Sequence, residues 1–236
     1  CLTDDKLMNS NPQWSPDGKH ILYAASMVPD THKSFFGRLK VVTLESGAVR
    51  SLTEDWGIAN TAGWHPDGQH IVFTGTPHGK VVGSKSDLWV LNLAGGAPEC
   101  RTTNLKVGVD GGLQPDMPVM GHSSTVQVTS DGQWAYATVQ HGGTPHLYKV
   151  ALSGTEECVP LVTGERYVML QGAAADRLIY LVSDFNHPID LYCAQADGSN
   201  ERQLTCINDD WLNAVKQPHV EHLLFPGSDG VQVEGW

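Results

Sequence analysis

The sequence has few basic residues, no long apolar run and few cysteines. It has 15 Lys and Arg against 26 Asp and Glu, and its net charge of −11 argues against nucleic acid or an anionic membrane as a partner. No apolar run approaches the ~20 residues of a membrane span. Its five cysteines are odd in number and lack C-x-x-C spacing, so neither a disulfide framework nor a zinc site is indicated. We expect reduced structural thiols, a cytoplasmic location, no cofactor and no metal.

A repeated unit is the main positive feature of the chain. The two clearest copies, at residues 14–23 and 64–73, both begin with Trp followed two residues later by Pro-Asp-Gly, and they lie 50 residues apart. Degraded copies follow at residues 128–136 and 174–180. Each copy leads to a second apolar half, which begins at Leu39, Leu88, Leu147 or Leu191, and then to a closing Leu-Thr or near match at 52–53, 101–102, 162–163 or 204–205.

This unit is predicted to form four antiparallel strands. Pro-Asp-Gly combines a fixed φ, a side chain that bonds its own backbone and a residue free to take positive φ, which makes a tight reversal. Alternating apolar residues flank these reversals, and glycines punctuate the second half. Such a unit at this period indicates an all-β fold, a β-propeller of four-stranded antiparallel blades. A β-sandwich with coincidental Asp-Gly turns does not explain why Thr3 to Trp14 and Thr53 to Trp64 are both 11 residues.

The repeat also suggests where blades begin and end. We place them at about 11–53, 61–103, 123–163 and 168–205 within a propeller region of residues 1–222, followed by a junction over 223–236. Leu2-Thr3 has the form of a closing strand without its blade. We therefore expect a partial ring of about four blades, cut from a larger, seven-bladed propeller, whose open blade edges favour self-association.

Several motifs carry a family resemblance. They are Trp-Ser-Pro-Asp-Gly-Lys from Trp14, the run from Leu191 to Thr205, and Ser-Asp-Gly-Val-Gln-Val-Glu-Gly-Trp ending at Trp236. Over essentially the whole chain they resemble the propeller portion of the prolyl oligopeptidase family, in its acylaminoacyl-peptidase and dipeptidyl-peptidase-like branch. The blade motif is shared with other propellers such as TolB, so the closing segment discriminates, because in the peptidases it joins the propeller to an α/β-hydrolase domain.

The resemblance implies a non-catalytic role for this chain. The family reaction needs a G-x-S-x-G serine with a carboxylate and a histidine, and the sequence has no such motif; Ser123 stands in the nearest approximation. No catalytic residue is therefore assigned. The resemblance implies a propeller that covers the hydrolase domain, its partner, and controls the access of peptide substrates. The alternatives are a TolB-like protein-binding module and, more weakly, a propeller lyase with a channel metal.

Loops supply the candidate site residues. The loops between second and third strands share one face with the blade crossovers, and loops carry function more often than the scaffold does. We therefore single out residues 27–37, 76–86 and 104–121 as access loops. His78-Gly79 and His141-Gly142 stand five residues after Phe73 and Tyr136 respectively, a matched placement that could present two imidazoles to a ligand; solvated turns are the alternative.

Two further groups are open to more than one interpretation. The acidic pairs 54–55 and 209–210 could recognise a peptide amino group, but the Trp that follows each pair is better explained by crossover packing. His219 and His222 resemble a metal-binding pair, yet residues three apart on a strand face opposite sides.

Overall fold

The computed structural model describes residues 1–27, 37–77, 84–110, 126–174 and 176–236. The predicted all-β propeller is confirmed: four sheets of four antiparallel strands follow one another along the chain, each in sequential strand order. We call them the first to fourth blades.

The strands of each blade have the following bounds. The first blade contains β1 (Asn9–Trp14), β2 (His20–Ser26), β3 (Gly37–Thr43) and β4 (Val49–Ser51). The second contains β5 (Gly57–Trp64), β6 (His70–Pro77), β7 (Asp87–Asn92) and β8 (Glu99–Cys100). The third contains β9 (Gln127–Val128), β10 (Trp134–His141), β11 (Thr144–Ala151) and β12 (Cys158–Val162). The fourth contains β13 (Tyr167–Ala174), β14 (Arg177–Ser183), β15 (Asp190–Gln195) and β16 (Arg202–Gln203). A helix α1 (Asp209–Ala214) and a hairpin of β17 (Leu223–Pro226) and β18 (Gln232–Gly235) complete the chain.

The Asp-Gly reversals have the local chemistry that the sequence predicts. Gly18, Gly68 and Gly132 have φ of 69°, 67° and 72°, which side chains rarely tolerate. The preceding aspartate accepts the backbone N–H two residues ahead; for Asp17 and Lys19 the distance is 3.0 Å. Each reversal is therefore specified by a handful of adjacent residues.

The closing Leu-Thr pairs also have a physical basis. The threonine hydroxyl accepts the backbone N–H of the leucine that opens the third strand, which ties the fourth strand to the third. The bonds join Thr53 to Leu39 at 2.9 Å, Thr102 to Leu88 at 3.0 Å and Thr205 to Leu191 at 2.9 Å.

Apolar cores lie between consecutive blades. Leu22 and Leu39 of the first blade pack with Ile71 and Phe73 of the second. A second core contains Val72, Leu88, Ala137 and Val150, and a third contains Tyr136, Leu147, Leu170 and Tyr180. Facing sheet surfaces that exclude water in this way are the radial packing of a propeller.

Two faces result from this topology. The Asp-Gly reversals lie on one, which we call the turn face. The other face contains the ends of the second strands and the beginnings of the third strands, and we call it the loop face. No helix in the described part of the chain is long and apolar enough to cross a membrane. All five cysteines are free thiols.

The crossover tryptophans differ from each other. Trp56 packs edge-on against Phe73 and Trp89, with ring centroids 5.0 Å apart in both cases, so its predicted packing role is confirmed. Trp211 lies on α1 and is 60% exposed. Crossover packing is therefore wrong for Trp211, because the short helix turns this ring outward.

Candidate functional site

The turn between β10 and β11 lies on the loop face of the third blade. His141 pairs with Thr144, so Gly142 and Gly143 alone connect the two strands. Gly142 has a φ of 59°, in the left-handed region that favours glycine. The exposed His141 side chain stands at the rim of this turn.

The C-terminal hairpin is seated against the same turn. A Cβ atom added to Gly142 would lie 2.7 Å from both carboxylate oxygens of Glu234, and one added to Gly143 would overlap the Trp236 ring. Glycine at both positions therefore permits the close approach of two residues from the C-terminal segment, Glu234 and Trp236.

Trp236 joins this turn to the neighbouring loop of the fourth blade. Its ring stacks on His222, with centroids 5.1 Å apart and planes 14° apart, and lies 5.6 Å from the Phe185 ring. His222 Nε2 is 2.7 Å from Glu234 Oε1. The site thus combines aromatic, acidic and imidazole groups from two blades and the hairpin.

A second histidine supports the β10–β11 turn from below. His146 stacks on His141, with centroids 5.0 Å apart, and its Nε2 donates to the Gly164 carbonyl at 2.8 Å. Burial lowers the pKa of His146, so this ring is neutral at physiological pH. His146 holds the turn, while the His141 side chain is exposed.

A cleft of about 330 Å³ opens on the fourth blade. It is lined by Asp184 and His187 of the loop after β14, by Asp190 and Tyr192 of β15, and by Asp209 of α1. Asp190 is buried and accepts the Thr205 hydroxyl at 2.6 Å, so it braces the blade. Asp184 and Asp209 leave the cleft rich in carboxylates, which can accept hydrogen bonds from amino groups.

The structure describes only some of the site residues that the sequence predicts. His78 and Gly79 lie outside the described residues, as do Ser123 and most of the proposed access loops. His141 and Gly142 lie on the loop face, beside the C-terminal hairpin.

The remaining candidates from the sequence have different surroundings: some are paired with neighbouring side chains, and one lines the cleft. Glu54 is engaged by Arg38 and Ser51, whereas Asp209 lines the cleft. His219 lies 3.6 Å from Glu221 and His222 bonds Glu234, so these two histidines have different partners.

Phe185, Glu234 and Trp236 were not predicted as neighbours of His141. The paired glycines at 142–143 were the available signal, since a glycine can mark a close approach of other atoms. The sequence does not say which segment makes that approach.

Comparisons with known proteins agree with this architecture. Residues 15–114 match the family described as dipeptidyl peptidase IV (DPP IV) N-terminal region. Over 153 residues the chain is 25% identical to the uncharacterized peptidase YuxL of Bacillus subtilis, covering 64% of this chain and 23% of that protein. The resemblance to the propeller region of prolyl oligopeptidase family peptidases is confirmed. The chain spans about a quarter of this curated relative.

Solved structures share the propeller fold. The acylaminoacyl peptidase of Pyrococcus horikoshii matches with a TM-score of 0.64 and 20% identity, over 97% of this chain and 32% of that one. A Mycobacterium tuberculosis puromycin-hydrolyzing peptidase matches with a TM-score of 0.67 and 14% identity, over 96% and 34%. TolB from Acinetobacter baumannii matches with a TM-score of 0.62 and 16% identity, over 86% and 45%. At these identities the structures establish the fold alone.

Proposed function

We propose that this chain is the non-catalytic propeller of a serine peptidase, in which it controls the access of peptides to a hydrolase domain of the same polypeptide. One observation carries the proposal. The closing segment that resembles the family junction packs on the loop face, where Trp236 contacts Gly143 and Phe185. A hydrolase domain joined through that segment would start beside the loops between the second and third strands of the third and fourth blades.

The chemistry of the loop face supports this role. An exposed imidazole at His141 and a carboxylate-lined cleft with Asp184 and Asp209 suit the polar backbone and amino groups of peptides. In this proposal four blades are part of a larger ring, and the loop face borders a chamber between the two domains.

The first test asks whether an activated serine exists. A fluorescent fluorophosphonate is added to the complete natural polypeptide that contains this sequence and, separately, to the 236 residues alone. We expect label on the complete polypeptide and none on the chain. Absence of label from both would overturn the peptidase proposal and favour a TolB-like protein-binding module, whose fold this chain shares.

The second test asks whether the loop face selects substrates. In the complete polypeptide, His141→Ala should change the ratio of kcat/KM for long and short peptides, because selection resides in differential contacts at the entrance. Lys19→Ala, an exposed change on the turn face, should leave the ratio unchanged. Equal ratios for both variants would contradict an access role for this loop while leaving the peptidase assignment intact.

A further inference from the structure

The turn of the second blade groups three side chains that can bind a metal. His65, Asp67 and His70 place one ligand atom each within 4.8 Å of one another, and they form the one such group of three found among the described residues. His65 Nδ1 lies 3.0 Å from Asp67 Oδ1, and His70 Nδ1 lies 2.7 Å from Asp67 Oδ2. All three are on the turn face, away from the site described above.

The repeat shows that this turn does not need the first imidazole. In the first blade the position of His65 is occupied by Ser15, whose hydroxyl donates to Asp17 at 2.6 Å and accepts the His20 N–H at 2.9 Å. Thr129 makes the equivalent bonds in the third blade. A small hydroxyl residue therefore satisfies the same geometry, and His65 contributes something more.

His65 is oriented as metal-binding histidines usually are. Its Nε2 lies 2.8 Å from the Gly132 carbonyl oxygen of the third blade, and a carbonyl can only accept, so Nε2 carries the proton. In this tautomer Nδ1 accepts the Asp67 backbone N–H at 3.3 Å, and the Asp67 carboxylate oxygen lies 3.0 Å from the same nitrogen. A backbone carbonyl that sets the tautomer and orientation of a histidine is the common outer-shell partner of a metal ligand.

His70 is oriented by the side-chain amide of Asn92. The Ala94 N–H bonds Asn92 Oδ1 at 2.8 Å, which directs the Asn92 amino group to His70 Nε2 at 3.2 Å. In the metal-free protein His70 Nδ1 therefore carries the ring proton and donates a hydrogen bond to Asp67 Oδ2. A metal ion would take the place of that proton, and the ring would regain a proton from solvent at Nε2, so that it stays neutral. The Asn92 amide would then give up its bond from the Ala94 N–H and turn its oxygen toward Nε2.

From these contacts we propose that His65 Nδ1, the Asp67 carboxylate and His70 Nδ1 bind one divalent transition-metal ion of the Zn²⁺ class, with water as the fourth ligand. Two imidazoles and one carboxylate are ligands that zinc accepts in a tetrahedral site. The ion would relieve the opposition of the His65 lone pair and the carboxylate. It would also brace the contact between the second and third blades that His65 makes through Gly132.

The experiment titrates the metal-free 236-residue chain with Zn²⁺ by calorimetry and follows Co²⁺ by visible absorption. We expect one equivalent to bind and the thermal midpoint to rise with Zn²⁺ concentration, since a ligand that binds only the folded state stabilises it. His65→Ser installs the residue that the first blade uses, so it should fold normally and bind Zn²⁺ at least about tenfold more weakly. His70→Ala should show the same loss.

His219→Gln is the matched control, because it removes an exposed histidine that also stands near an acid, Glu221. This variant should keep full affinity and the Co²⁺ spectrum. The proposal is overturned if the unaltered chain does not bind Zn²⁺, or if His65→Ser binds as tightly as the unaltered chain. Loss in His219→Gln alone would place the bound ion at the C-terminal segment and equally reject this site.

Discussion

At the scale of single residues, Glu201 joins two parts of the fourth blade. Its carboxylate accepts hydrogen bonds from both terminal nitrogens of Arg166 at 2.8 Å and from the buried Tyr180 hydroxyl at 2.7 Å. Burial alone would raise the pKa of Glu201, but the bonds from Arg166 and Tyr180 outweigh it and hold this pKa below its usual range. The same burial and the carboxylate raise the pKa of Tyr180.

Glu201→Gln is therefore expected to make stability depend less on pH. A glutamate with a lowered folded-state pKa stabilises the protein above its unfolded-state value of about 4.3 and loses that contribution as the pH falls through the folded-state value. At pH 7 the variant should lose about 1–3 kcal/mol of unfolding free energy. The deficit should shrink below about pH 4.

Urea denaturation between pH 3 and pH 7 measures this difference. Glu165→Gln, an exposed acid before the same blade, is the control and should follow the unaltered chain throughout. A constant deficit for Glu201→Gln across this pH range would argue against the ionised carboxylate as its cause.

At the scale of elements, the C-terminal hairpin is held by shape more than by burial. Leu224 and Val231 are 65% and 60% exposed, so little apolar area fixes the hairpin to the blades. Its closest contact is the Trp236 ring over the turn between β10 and β11. That contact exists because Gly143 has no side chain.

Gly143→Ala should displace the hairpin without unfolding the blades. The added methyl group would occupy the space of the Trp236 ring, and a rigid aromatic ring beside backbone must move as a unit. Hydrogen exchange of amides 223–235 should accelerate, while exchange in β13 and β14 stays unchanged.

Gly172→Ala is the comparison for this prediction, since a Cβ there meets only Gln127 Nε2 at 3.9 Å. It should leave hairpin exchange as it is. Unaltered exchange in Gly143→Ala would mean that Trp236 does not retain the hairpin.

At the scale of the whole molecule, arginines connect successive blades in addition to the apolar cores. Arg101 is 3% exposed. Its Nε donates to the Ala151 carbonyl and its Nη2 to the Gly154 carbonyl, both at 3.0 Å. Arg50 makes a single exposed bond, from Nη1 to the Leu93 carbonyl at 2.8 Å. The third blade is therefore secured to the second more firmly than the second is to the first by this device.

Arg101→Met should lower the unfolding free energy by about 1–3 kcal/mol, because it leaves the carbonyl group of the buried Ala151 without this donor. Arg50→Met should change it by no more than about 0.5 kcal/mol, as expected for an exposed group. Both changes in unfolding free energy can be measured from denaturation midpoints, with one shared slope of free energy against denaturant concentration. Equal losses would show that burial of the guanidinium is not what matters.

The candidate site was only partly accessible to prediction. His141 and Gly142 were identified because they follow Tyr136 at the spacing that His78 and Gly79 have after Phe73, and a short-range repeat carries that information. Their neighbours Glu234 and Trp236 belong to a segment some 90 residues away. No periodicity links that segment to the turn.

The sequence by itself determined the blades, because the first three reversals depend on an aspartate, a glycine and their immediate neighbours, and three of the closures depend on a threonine that binds one leucine. These interactions act within about one blade, so they recur with the repeat. Only the tertiary structure decided which side chains meet between blades: His65 with Gly132, Arg101 with Ala151, and Trp236 with Gly143. Such contacts depend on how neighbouring blades pack against each other, and the conformational preferences of short sequence segments do not encode that arrangement.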